Sequence, residues 1–182
     1  IVFPILTIIG IGILFALSSF YEKSWSYNWS GISEQFRDSI KVAEYGGISN
    51  GGVGIANRKP KQYDRRHWIM KNATESELLK LTDYPNGTIK TIAYEGLLRK
   101  KDFKDKTKLV LKSLKDNEYP MEYQMGCEGT GMYISEYLIY FVLYLDNESP
   151  PLPDGFRNQF RLAENDVEKI MTEYKKAPKL WK

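Results

Sequence analysis

Apolar and polar positions divide the chain into three stretches. Ile1 to Tyr21 carries no charged residue. As a helix it would cover roughly 30 Å, the hydrocarbon thickness of a bilayer. Trp25, Tyr27 and Trp29 follow at once, as in an interfacial aromatic belt. The stretch therefore predicts a transmembrane anchor over residues 1–21. The competing reading is a secretory signal peptide, with Ala16-Leu17-Ser18 as a loose cleavage site. Residues 22–62 read as a polar connector. Within it Ile32, Phe36, Ile40 and Ala43 predict a short amphipathic helix, and five glycines between Gly46 and Gly54 predict a flexible loop. Residues 63–182 recover the three- and four-residue apolar period and predict a small, mostly helical domain.

The clearest pattern in that domain is Thr74 to Lys101. Thr74 with Glu77 has the spacing of a capping box. Leu78, Leu79 and Leu81 give the helix an apolar side. Pro85 and Asn86-Gly87 then make a turn. Ile89, Ile92, Ala93, Gly96 and Leu97 share one face of a second helix, with Thr88 as its expected cap. Arg99, Lys100 and Lys101 close it, where cations complement the helix dipole. Tyr63 to Asn72 predicts a helix leading into this pair, and Asp102 to Asn117 one leading out. Leu162 to Lys175 predicts the last helix, built on Val167, Ile170, Met171 and Tyr174. Leu78, Leu81, Ile89, Ile92, Ala93, Leu97, Val110, Leu111 and Leu114 are expected to form one core.

The segment Tyr119 to Leu145 is ambiguous. Gly126, Gly129 and Gly131 predict a loop around Cys127. Beyond it, Tyr133, Tyr137, Tyr140, Phe141 and Tyr144 recur at helical spacing, although a buried strand also fits Tyr137 to Leu145. The helix is preferred. Tyrosine brings contact area and a hydrogen bond at little entropic cost. Tyr137, Tyr140 and Tyr144 are accordingly the expected partner-binding residues.

The 28-residue pair resembles one HEAT repeat. Asp83, Pro85, Ile89-Lys90, Ala93 and Gly96-Leu97 occupy the turn and second-helix positions of such a repeat. Lys90 stands where Arg is usual and Gly96 where Ala is usual, which weakens any Asp–Arg ladder between repeats. The resemblance implies a mainly α fold: one transmembrane helix plus a HEAT-like domain that serves as a protein-contact surface. Asp38-Ser39-Ile40 resembles the O-glycosylation motif of Bacteroidetes envelope proteins. That resemblance implies a membrane-anchored protein with its domain in the periplasm of a Gram-negative bacterium.

Composition removes several chemistries. The chain has one cysteine, Cys127, and one histidine, His67, so neither a disulfide framework nor a Cys/His zinc site can be built. A net charge of +3 is too small to argue for nucleic acid. The glycine-rich loop lacks the Gly-Lys-Ser/Thr of a phosphate loop and the GxGxxG of a dinucleotide site. Cys127 with His67 is the one thiol–imidazole pair on which a cysteine-dependent enzyme could rest. Arg99 through Asp116 holds eight basic and three acidic residues. These make either a solvated face or a contact for lipid headgroups or an acidic protein. Four Asn-x-Ser/Thr sequons, at Asn28, Asn72, Asn86 and Asn147, bring in a secreted chain as a further reading.

The expected protein is a single-pass, membrane-anchored accessory or scaffold subunit. Its partners are membrane lipid and other subunits of a membrane complex. It uses no cofactor, catalyses no reaction and binds no nucleic acid. A periplasmic or secreted binding protein with a cleaved signal peptide is the alternative.

Overall fold

A computed structural model describes residues 2–19, 23–146 and 155–181. The first helix, α1 (Val2–Ser19), has 18 residues. Pro4 sits in its first turn, where no intrahelical N–H is needed, and Thr7 Oγ1 donates to the Phe3 carbonyl one turn back at 3.0 Å. At 1.5 Å per residue α1 covers about 27 Å.

This corrects the expected anchor. Among the described residues no helix is long and apolar enough to cross a membrane. The aromatic belt is also reassigned. The Tyr27 ring packs edge-on against Tyr84 at 4.6 Å, and Trp29 lies 5.7 Å from the same ring. Tyr27 and Trp29 thus lie against the domain.

The body is assembled around α5 (Gly87–Arg99), which is buried from Gly87 through Leu98. On it pack α3 (Lys61–Asn72), α4 (Glu75–Leu81), α6 (Lys106–Ser113) and α7 (Ile134–Tyr137). The last helix, α8 (Glu164–Tyr174), packs on α6. α2 (Glu34–Ala43) places Phe36, Ile40 and Ala43 in the same core. Of the nine expected core residues, eight are buried together, and Leu111 lies half-buried against them.

The capping residues explain why the helices begin where they do. Thr74 and Glu77 form the capping box. Glu77 does a second job. Its Oε1 accepts from the Ser33 backbone N–H at 2.9 Å and from the Ser33 hydroxyl at 2.7 Å, while Oε2 accepts the corresponding groups of Thr74. Ser33 and Thr74 stand at the N-caps of α2 and α4, so one carboxylate ties two helix starts together. At α5 the cap is Asn86, not Thr88, with its side chain accepting from the Ile89 N–H. Asn86 Nδ2 also donates to the Glu44 carbonyl at 3.2 Å, which leaves this sequon's amide occupied by the fold.

A mainly α reading omitted the sheet. β1 (Ile48–Val53), β2 (Met121–Gly126) and β3 (Glu128–Met132) form three strands in that order, β1 parallel to β2 and β3 antiparallel. The glycine-rich stretches expected as loops supply β1, β3 and the end of β2. Met121 and Tyr123 point inward, while Glu122 and Gln124 point out, the two-residue period of a half-buried strand. Met125 pairs with Glu128 across the two-residue turn Gly126-Cys127, and Gly126 takes φ +58 as the first centre of that turn. Beyond β3, α7 runs into a π-helical turn, Leu138–Val142, so this part is helical, as the tyrosine spacing predicts.

The helix pair α4–α5 forms, but nothing among the described residues gives clear evidence of a HEAT repeat. After α6 the chain enters the β2–β3 hairpin instead of a partner helix.

Candidate functional site

Two features stand apart from ordinary packing: a charged network inside the body and an apolar helix outside it. The network joins three helices. Arg66 on α3 is 3% exposed and Glu95 on α5 is 0% exposed. The Tyr137 hydroxyl on α7 lies between them, accepting from Arg66 Nη1 at 3.0 Å and donating to Glu95 Oε2 at 2.9 Å. Arg99 Nε donates to the other carboxylate oxygen at 2.7 Å. Burial, then the Glu95 charge, pushes the Tyr137 phenol well above its usual range, so it stays a neutral donor. The arrangement satisfies a buried carboxylate from three sides. Its chemistry is that of a structural tie, because Tyr137 is enclosed.

The three expected partner-binding tyrosines are not equivalent. Tyr137 is core. Tyr140 is half-buried, with the Trp181 ring edge-on at 4.8 Å. Tyr144 is half-buried against Phe156 at 5.5 Å. The tail is held there by Glu136, itself 0% exposed, whose carboxylate accepts the backbone N–H groups of Leu180 and Trp181 at 3.0–3.1 Å. This chain's own C-terminal segment therefore covers part of the tyrosine face.

Cys127 is exposed at the tip of the β2–β3 hairpin. His67 is on α3, its ring stacked on Tyr63 and its Nδ1 2.9 Å from the Tyr63 carbonyl. No described hydrogen bond joins His67 to the thiol. Among the described residues no three His, Cys, Asp or Glu side chains gather as a metal site.

The second feature is α1. Between Phe3 and Leu17, ten large apolar side chains are each more than half exposed. They point to every side of the helix, and a Cβ added at Gly10 or Gly12 would meet nothing within 4 Å. The core begins with Ile32, with Tyr27 and Trp29 packed against it. A helix apolar all round is one that is buried in its working state. Exposed apolar surface of this extent marks an interaction site.

Comparison with family models, with curated proteins and with solved structures finds no match for this chain.

Proposed function

We propose that this chain is an accessory or scaffold subunit that binds another protein by seating α1 in an apolar groove of that partner. The observation that carries the reading is the run of ten exposed apolar side chains on a helix outside the core. Burying one such side chain contributes about 1.5–3 kcal/mol. The ten are 52–86% exposed, so together they hold roughly 10–20 kcal/mol in gross terms. Association costs about 4–15 kcal/mol, so a stable complex needs most of the helix buried. Because the apolar residues go all round, the partner must enclose α1. A single flat contact would leave the far side wet.

The test places acidic residues on α1 without touching the body. The full chain and an Ile8→Glu, Leu14→Glu variant are produced in the cells that make the protein, and their sizes are compared by gel filtration under detergent-free conditions. The wild type should elute in a larger complex and the variant as a monomer, with identical melting curves for the body. Monomeric elution of both would refute the reading.

A further inference from the structure

Lys106 occupies a position suited to an apolar side chain. It shares the inner side of α6 with Leu109, Val110 and Ser113, and all four are buried. Lys106 is 4% exposed, and its Nζ has no hydrogen-bonding partner. An ammonium in that position is costly unless a counter-ion meets it. The fold supplies the opposite. Burial, then the charge of Arg161, lowers the Lys106 pKa, so the charged group acting on it is a second cation.

Three further observations converge there. Arg161 is held at φ +53, a left-handed conformation that non-glycine residues rarely adopt. The first turn of α6 is left open, because the N-cap residue Asp105 makes no capping hydrogen bond and instead pairs with Lys108 at 2.8 Å. A cleft of about 350 Å³ brings these groups together, lined by Lys101, Lys104, Lys106 and Arg161, with Asp102 and Asp166 also on its wall.

We propose that this cleft binds a phosphate monoester, its dianion seated between Lys106 Nζ and the Arg161 guanidinium at the N-terminus of α6. Uncapped first-turn amides and the helix dipole favour an anion there. A guanidinium beside an ammonium matches the several oxygens of a phosphate better than the two of a carboxylate. Asp102 and Asp166 repel the dianion from their part of the wall, which leaves that part for the rest of the ligand. The ligand is a small phosphorylated molecule or a monoester lipid headgroup, and the experiment separates the two. This site is independent of α1.

The full chain is titrated with inorganic phosphate at constant ionic strength in chloride buffer, following the melting temperature and the ³¹P line width. In a second arm it is mixed with phosphatidylcholine vesicles with and without phosphatidic acid and sedimented. Phosphate should raise the melting temperature saturably and broaden the ³¹P signal. Lys106→Met keeps the volume and removes the charge. It should melt no lower than wild type without phosphate and lose the phosphate response. Arg161→Gln should weaken the response about tenfold, the loss of one charge-assisted hydrogen bond. Should Lys106→Met fail to fold, Arg161→Gln decides. Binding to phosphatidic acid vesicles with no response to free phosphate assigns the headgroup as the ligand, provided that Arg161→Gln abolishes it. Equal responses in wild type and variants, or no binding in either arm, overturn the proposal.

Discussion

Removing the Tyr137 hydroxyl tests whether the buried network holds the body together. In Tyr137→Phe two hydrogen bonds to charged partners are lost, at 3.0 Å from Arg66 and 2.9 Å to Glu95. Each such bond contributes about 1.5–3 kcal/mol. Part is regained, because Arg66 Nη1 already stands 3.9 Å from Glu95 Oε2 and can close on it directly. Arg99 keeps its 2.7 Å bond to the other oxygen. The expected net loss is about 3 kcal/mol, or roughly 6–12 °C in melting temperature for a domain of this size. Urea unfolding followed by far-ultraviolet circular dichroism measures it, read as a lower midpoint at unchanged slope. Tyr144→Phe, at a half-buried position, is the control and should stay within about 0.5 kcal/mol. A loss below about 1 kcal/mol in Tyr137→Phe would refute the reasoning, since the hydroxyl would then be dispensable to both charges.

Three further outcomes follow from single residues. Burial alone would raise the Glu77 carboxyl, but the four hydrogen bonds from Ser33 and Thr74 outweigh it and hold its pKa at about 2. A lowered carboxylate pKa stabilises the fold above the unfolded value of about 4.5, and this contribution is lost as pH falls from there toward 2. Unfolding free energies between pH 6 and pH 2, roughly, should therefore fall less steeply in Glu77→Gln than in wild type, and parallel curves would contradict the double-cap role. At Gly87 a Cβ would run into the carbonyls of Tyr119 and Pro120; Gly87→Ala should cost about 1–3 kcal/mol in urea unfolding, and a neutral result would mean that the α5 start can move away from β2. Cys127 is exposed at a hairpin tip, so Cys127→Ser should leave partner binding intact and stability within about 0.5 kcal/mol, whereas loss of function would revive a thiol chemistry.

The helical body was largely legible because its signals are local. Thr74, Glu77, Pro85 and Asn86 mark ends, and the leucines and isoleucines of α4–α6 repeat at helical steps. The sheet is hidden because glycine is a poor strand residue and five glycines lie in β1–β3. The alternation Met121-Glu122-Tyr123-Gln124 carried the missed signal. Apolar composition alone suggests a membrane span at residues 1–21, but among the described residues no helix is long and apolar enough to cross a membrane, and Tyr27 and Trp29 find protein partners instead. Tyrosine spacing cannot tell core from rim: Tyr137 is enclosed by groups on α3 and α5, contacts between positions far apart in sequence. Docking of Trp181 likewise depends on Glu136, whose burial no local pattern announces. Lys106 left a trace, a lysine three and four residues before Leu109 and Val110 on an otherwise inward side. Arg161 carries no such signal, since its left-handed backbone shows only in the folded chain.

Photo-cross-linking from α1 tests the central claim most directly. The Ile8→benzoylphenylalanine chain is expressed and irradiated in the cells that make the protein, with a second chain carrying the same group at the exposed Lys169 of α8 as the control. A helix seated in a partner's groove predicts one discrete, heavier protein adduct from position 8 that is missing from the control. Irradiation that yields lipid adducts alone, or no adduct from position 8, would contradict the claim that α1 is bound by protein.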